Sequence, residues 1–260
     1  MNINEIKNSI KEGMEKGYNE NISLRSSYDN LIKEIREYLL TVNVAQKLLK
    51  WKEKNQKHYY KINLEYNLKD FYNNAFSESK PIETASIFDF GWISREKHSP
   101  TNNNNKKIDI VITKDSTSYL GFEGVNSIIG IEIKGINKNK KDIIADAERL
   151  INAMINKDSV GENKIQYCFC SFLDMLNTEN TIQDSSLISK YKNKLRDNWD
   201  KELNSLRDNY KDLNFSFEIF DIIENPYKED KFSHCDDYNV VAKQTGSLIG
   251  GLITIKRYQH

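Results

Sequence analysis

The sequence predicts an α/β fold, with a central mixed β-sheet flanked by helices and a helical N-terminal part. β-branched and aromatic runs of strand length occur at 108–113, 128–134 and 165–173. Apolar residues recur at helical spacing across 141–155, between the last two of these runs. A strand, a helix and a strand in this order form a crossover unit, which normally pairs its two strands in parallel.

The composition is that of a folded protein with no overall charge. The chain has 260 residues, 38 Lys and Arg against 38 Asp and Glu, and 38% hydrophobic residues. This length suits one large domain or two small ones, and the aromatic content argues against disorder. A zero net charge excludes a strongly basic nucleic-acid packaging protein, so any basic residues that contact nucleic acid must be segregated on one face.

The helical N-terminal part covers residues 1–80. A helix is predicted over 24–50, where apolar residues fall on one stripe, and a second over 64–76. The charged segment 51–61 between them is predicted to be a surface connection. A strand over 86–93 and an asparagine-rich hairpin loop over 98–105 follow.

The C-terminal part, 186–260, adds a helix and two strands, and no linker is evident. We therefore expect a single domain over 1–260. The charged amphipathic helix at 186–211 is interpreted as a solvated face or an oligomer contact, and strands are predicted at 215–223 and 248–256. Because 248–255, the longest apolar run, is far below the ~20 residues of a spanning helix, we expect no membrane association and a cytoplasmic location.

The cysteines do not indicate a disulfide framework or a zinc site. Cys168 and Cys170 are two residues apart on a predicted strand, so they share a face and are interpreted as small core residues. Cys235 is left without a partner. His234 and its neighbours contain metal-ligand residue types but lack a second pair at usable spacing.

Three ionisable residues interrupt the apolar strands and are the candidate site. Asp109 lies within an Ile/Val run, and Glu132 and Lys134 lie two apart in Ile-Glu-Ile-Lys, so their side chains share a face. Burying charged groups on such strands destabilises the fold unless the charges are paired or take part in binding or catalysis.

Two carboxylates brought together on adjacent strands repel each other, and a divalent cation that prefers hard oxygen ligands relieves the repulsion. Asp109, Glu132 and the backbone carbonyl of Ile133 are therefore candidate ligands of Mg²⁺, an ion typical of phosphoryl chemistry. Lys134 would orient or deprotonate the attacking water, or stabilise the transition state.

Asp109 followed by Glu132-Ile-Lys134, on successive strands with a crossover helix after them, resembles the signature of the PD-(D/E)xK nuclease superfamily. The resemblance covers 86–173 and departs from the common pattern at Ile108, where the family often has proline. It implies a restriction endonuclease-like core and a metal-dependent endonuclease that hydrolyses DNA with Mg²⁺, or Mn²⁺ in its place. It also implies a further glutamate from an N-terminal helix, for which Glu34 and Glu37 are candidates; Glu37 is preferred.

The resemblance further suggests a role in restriction or phage defence, a homodimer and a partner protein of a defence system. Two alternatives remain open at this point. One is a catalytically inactive subunit that binds or assembles, with the Asp–Glu–Lys cluster serving as an internal ion-pair network. The other is a nuclease that acts on RNA. The resemblance leaves the recognition sequence and the cut pattern undetermined.

Further charged residues surround the candidate site in the sequence. Lys138, Lys140 and Lys141 follow the Glu-x-Lys strand and are interpreted either as contacts to the phosphate backbone or as an ordinary solvated loop. Asp142, Asp146 and Arg149 on the crossover helix are predicted to form exposed ion pairs of little energetic weight. Glu123 is either a third carboxylate of the site or, as preferred, a loop residue.

Overall fold

The computed structural model describes residues 1–23, 37–75, 106–117, 123–155, 163–177, 185–223 and 246–258. It confirms the α/β class, with a six-stranded mixed sheet flanked by helices. In chain order, the elements are α1 (Ile3–Ser23), α2 (Glu37–Lys54), β1 (Tyr60–Asn67), α3 (Leu68–Asn73), β2 (Lys107–Thr117), β3 (Glu123–Ile136), α4 (Lys140–Ile155), β4 (Tyr167–Asn177), α5 (Ser185–Asn209), β5 (Leu213–Ile223) and β6 (Gly246–Arg257).

The sheet has the strand order β1-β2-β3-β4-β6-β5. β3 and β4 pair in parallel, and helix α4 connects them, as the crossover prediction requires. The other neighbouring strands pair antiparallel. The six-stranded sheet is therefore mixed, with its parallel pair at the centre.

Two apolar cores lie on opposite faces of the sheet. Helices α1 and α2 cover one face, where Ile129, Ile131 and Ile133 of β3 are fully buried. Helices α3, α4 and α5 cover the other face, where Cys168 and Cys170 of β4 are buried as free thiols. The prediction that these cysteines are core residues is confirmed, and burial raises the pKa of the Cys168 thiol to about 12.

Helix α1 packs tightly on α2, an arrangement that the sequence analysis did not identify. Its buried stripe follows the i, i+4 spacing of one helix face and consists of Ile6, Ile10, Met14 and Tyr18. Glycines let the two backbones approach, since a Cβ atom at Gly13 would lie 2.4 Å from the Cα atom of Val44. The position of α2 therefore depends on the absence of a side chain at Gly13.

The predicted helix over 64–76 is confirmed for Leu68–Asn73 and wrong for its first four residues. Residues Tyr60–Asn67 form the strand β1, at one end of the described sheet. The strand alternates apolar Ile62, Leu64 and Tyr66 with polar residues, and it pairs antiparallel with β2. This long-range pairing prevails over the helical spacing of the apolar residues.

The prediction of a surface connection over 51–61 is wrong in its first part. Helix α2 continues to Lys54, and Trp51 is buried against Tyr60, with the two ring centroids 6.0 Å apart. Within the predicted helix over 24–50, residues 37–50 are helical and 24–36 lie outside the described residues. Within the described residues of 1–80, the elements are therefore the helices α1, α2 and α3 and the strand β1.

The remaining elements are confirmed within a few residues of their predicted ends, namely 108–113, 128–134, 141–155, 165–173, 186–211, 215–223 and 248–256. α5 buries one face through Trp199, Leu203 and Leu206. The strand predicted over 86–93, the loop over 98–105, and His234 and Cys235 lie outside the described residues. Among the described helices, none is long and apolar enough to cross a membrane.

Candidate active site

The candidate site lies where the two halves of the sheet separate. The backbone pairing of β2 with β3 runs from Thr117 and Glu123 to Ile110 and Ile131. Beyond that pair, β2 remains paired with β1 as far as Lys107, and β3 remains paired with β4 as far as Ile136. Asp109 and Glu132 are the next residues on their strands, so they lie at the opening.

The carboxyl groups of Asp109 and Glu132 are in contact at this opening. The two groups are close enough to influence each other's pKa, and Asp109 Oδ2 accepts a hydrogen bond of 2.7 Å from the backbone amide of Ile133, the residue next to Glu132. Glu132 is 2% exposed. The sequence prediction that these two carboxylates come together is therefore met in the structure.

Burial and mutual repulsion favour the protonated forms of this pair. Burial, and then the charge of Asp109, raise the pKa of Glu132 to about 8, although the Arg149 guanidinium acts to lower it. Burial also raises the pKa of Asp109, against the opposing effects of the Ile133 amide and Lys134. Both shifts favour a proton on the pair, and a bound divalent cation would displace that proton.

Lys134 lies on the same face of β3 as Glu132 and has two carboxylate neighbours. Its Nζ atom is 2.7 Å from Asp146 Oδ2 and 3.4 Å from Glu37 Oε1. Burial alone would lower the pKa of Lys134, but the bond to Asp146 and the surrounding carboxylates raise it above its ordinary value. Lys134 is therefore a protonated hydrogen-bond donor at physiological pH.

Glu37 reaches the site from the first turn of α2. Its Oε2 atom accepts a hydrogen bond of 3.2 Å from the backbone amide of Gly135, and its Oε1 atom faces Lys134. The structure thus brings Glu37 to the site, as the sequence analysis preferred. Glu34, the other candidate, lies outside the described residues.

The prediction of exposed ion pairs on α4 is wrong for Asp146 and Arg149. Asp146 is 6% exposed, and Arg149 Nη2 donates to Glu132 Oε1 at 2.8 Å while Nη1 pairs with Asp146. Asp142, by contrast, is exposed. Asp146 lies on the helix stripe of Ile143 and Leu150, both buried, and this i, i+3 and i, i+4 spacing was the signal that could have placed it inside.

The three lysines after β3 have different surroundings. Lys138 is 3.7 Å from Glu37 Oε2 and lies at the site. Lys140 turns away to pair with Glu202 of α5 at 2.8 Å and lies over the ring of Trp199. Lys141 is exposed and forms no ion pair with a described residue.

Glu123 is not part of the site. It is the first residue of β3 and pairs with Thr117, so the preferred interpretation as a loop residue is wrong. Nine residues of strand separate it from Glu132, a distance of about 30 Å. The interpretation as a third carboxylate is excluded by the same distance.

The residues present fit a hard divalent cation as a partial ligand set. Within the described ranges, no three side chains of the His, Cys, Asp and Glu types are placed to hold a metal ion. Asp109, Glu132 and the Ile133 carbonyl would supply only part of a coordination shell, which suits Mg²⁺ because it commonly keeps several waters and uses one or two carboxylates. Acidic groups also outnumber basic ones here, since Glu37, Asp109, Glu132 and Asp146 face Lys134, Lys138 and Arg149.

Comparison with known proteins finds no match for this chain among models of protein families, curated proteins or solved structures.

Proposed function

We propose that the protein is a Mg²⁺-dependent nuclease of the PD-(D/E)xK type, with a restriction endonuclease-like core, that hydrolyses phosphodiester bonds of DNA. The observation that carries the proposal is the contact between Asp109 and Glu132 where β2 and β3 separate, with Lys134 on the same face. Two buried carboxyl groups with raised pKa values beside a cation form a typical catalytic arrangement.

The surrounding elements support the same proposal. Asp109 and the Glu132–Lys134 segment lie on successive, paired strands, and the crossover helix α4 follows them directly. Glu37 enters from a helix on the N-terminal side of these strands. These are the positions that the resemblance to the superfamily implies for the four residues.

Each side chain of the site has a definable task in phosphodiester hydrolysis. Asp109, Glu132 and the Ile133 carbonyl would hold Mg²⁺, which when bound would neutralise phosphate charge and lower the pKa of a water molecule. Lys134 is held protonated by Asp146, so its task is to donate to a phosphate oxygen and stabilise developing negative charge, and a role as general base is disfavoured. Glu37 holds the Lys134 ammonium from the other side.

The test is cleavage of supercoiled plasmid with Mg²⁺, with Mn²⁺ and with EDTA. Asp109→Asn, Glu132→Gln and Lys134→Ala should each reduce the rate by about a hundredfold or more, since each removes a group that acts in the transition state. Lys190→Ala, an exposed lysine of α5, is the matched control and should cut like the wild type. Cleavage that survives both EDTA and Lys134→Ala would refute the proposal.

A second candidate function is a catalytically inactive subunit that binds or assembles. The observation that favours it is that Arg149 already neutralises Glu132 and Asp146 already neutralises Lys134, as in a structural ion-pair network. Calorimetric titration with Mn²⁺ distinguishes the two. No Mn²⁺ binding, together with a loss of stability in Glu132→Gln, would support the inactive subunit, because that substitution breaks a structural ion pair.

The substrate and assembly belong to the same proposal. Competition between DNA and RNA of one sequence at a fixed salt concentration separates a DNA nuclease from an RNA nuclease, because phosphate binding depends strongly on salt. A role in restriction or phage defence, with symmetric cutting, would require a homodimer, which sedimentation equilibrium measures directly.

A further inference from the structure

An exposed aromatic ring lies near two lysines just after the C-terminal end of α2, the end opposite Glu37. Tyr59 is 41% exposed, and the Nζ atoms of Lys57 and Lys114 lie 5.9 Å and 5.3 Å from its ring centroid. Both distances are within the range of cation–π contacts. Tyr59 also contacts the ring of Tyr60 at 4.7 Å, and Tyr60 is buried against Trp51, so the exposed ring is supported by a fixed aromatic pair.

The surroundings of this ring are strongly basic. Residues 50–57 contain four lysines and one glutamate. The backbone amide of Lys57 donates to the carbonyl of Lys52, and that of Tyr60 donates to Lys57, so the chain folds the end of α2 against Tyr59. We call this surface the Tyr59 patch, which comprises Lys57, Tyr59 and Lys114.

The lysines of the Tyr59 patch lack acidic partners. Among the described residues, neither of its two ammonium groups has a carboxylate oxygen within 4.0 Å, whereas Lys61 next to the patch is paired with Asp115. Clustered ammonium groups repel one another and attract phosphates. The patch therefore has the charge of an anion-binding surface although the whole chain is neutral.

We infer that the Tyr59 patch binds a single-stranded segment of DNA. The lysines suit consecutive phosphates, and an exposed tyrosine ring offers a stacking surface to an unpaired base, which a duplex does not present. The choice of DNA rests on the proposed function. The surface itself shares no residue with the candidate active site.

Helix α2 links the patch to the site. It has 18 residues and thus spans about 27 Å, with Glu37 at the site and its last residue, Lys54, shortly before the patch in the chain. A strand held at the Tyr59 patch is a contact additional to those at Asp109 and Glu132. The patch contributes affinity away from the reacting bond.

The experiment measures binding of a fluorescein-labelled single-stranded oligodeoxynucleotide to the full chain by fluorescence anisotropy, in EDTA so that metal-dependent cleavage does not interfere. Tyr59→Ala should weaken binding about tenfold, the loss expected for one stacked base. Lys57→Gln with Lys114→Gln should lower the slope of log affinity against log salt by about 1.4, the value for two phosphate contacts on a single strand.

Matched controls remove the same groups elsewhere. Tyr258→Ala removes another exposed tyrosine, and Lys190→Gln with Lys194→Gln removes two exposed lysines of α5. These controls should bind like the wild type. Equal losses in the controls and the patch variants, or unchanged binding by Tyr59→Ala, would overturn the inference, as would tighter binding of RNA of the same sequence.

Failure of the proposed function can be told apart from failure of this inference. Weakened binding by Tyr59→Ala in a protein that cuts no plasmid supports the patch and contradicts the nuclease. Cleavage by a protein whose Tyr59→Ala variant binds normally contradicts the patch and supports the nuclease.

Discussion

Substitution of Arg149 by Gln should destabilise the protein by leaving Glu132 without its cation. Glu132 is 2% exposed, touches Asp109 and accepts from Arg149 Nη2 at 2.8 Å. Removing one partner of a fully buried ion pair costs about 3–5 kcal/mol. Because the Arg149 side chain is 22% exposed and water can reach part of it, we expect a loss of about 2–4 kcal/mol above pH 8, where Glu132 is ionised.

The assay is urea unfolding followed by far-ultraviolet circular dichroism, with a double-mutant cycle. Glu132→Gln should restore about 1–3 kcal/mol to the Arg149→Gln variant, because the uncompensated carboxylate is then absent. The cost of Arg149→Gln should also be smaller at pH 6 than above pH 8, since Glu132, with a pKa of about 8, is mainly protonated at the lower pH. A loss below about 0.5 kcal/mol with no coupling between the two positions would refute this account.

Three further predictions concern other contacts of the same structure. The free energy of unfolding of the wild type should fall as pH rises from 4.5, the ordinary pKa of a glutamate, through about 8, the pKa of Glu132 in the folded state. The reason is that the folded state binds the Glu132 proton more tightly than the unfolded state does. The urea midpoint of Glu132→Gln should not show this fall. Asp146→Asn should lower the pKa of Lys134, and an unchanged NMR titration of that ammonium would contradict its pairing with Asp146. Gly13→Ala should cost about 1–3 kcal/mol in thermal or urea unfolding, because its Cβ would lie 2.4 Å from Val44 Cα, whereas Asn8→Ala at an exposed position of α1 should not destabilise.

The sequence predicted most of the central sheet because local patterns there agree with the long-range pairing. The Ile/Val runs of β2 and β3 and the period of α4 are strong signals, and they placed Asp109, Glu132 and Lys134 on adjacent strands. Residues 64–67 of β1 were mistaken for the start of a helix, although Ile62, Leu64 and Tyr66 alternate with polar residues, because the short alternation is ambiguous until the pairing with β2 selects the strand.

The charged network of the site was harder to predict than its carboxylates. Asp146 and Arg149 have the i, i+3 spacing of a surface ion pair, and only their position relative to the sheet makes them partners of Lys134 and Glu132. The direction in which the pKa of Lys134 shifts also could not be predicted from the sequence, because the shift results from Asp146 on a different element. Burial and charge pairing of this kind depend on tertiary structure.

The site is assembled from residues that are far apart along the chain, from Glu37 to Arg149. During synthesis, the cluster cannot form until α4 has emerged and β4 has paired with β3, because that pairing fixes the end of the strand that carries Glu132 and Lys134. Truncated or partly folded chains therefore contain the individual carboxylates, but these are not held together in one site. Any activity of this cluster is then confined to molecules that have completed the central sheet.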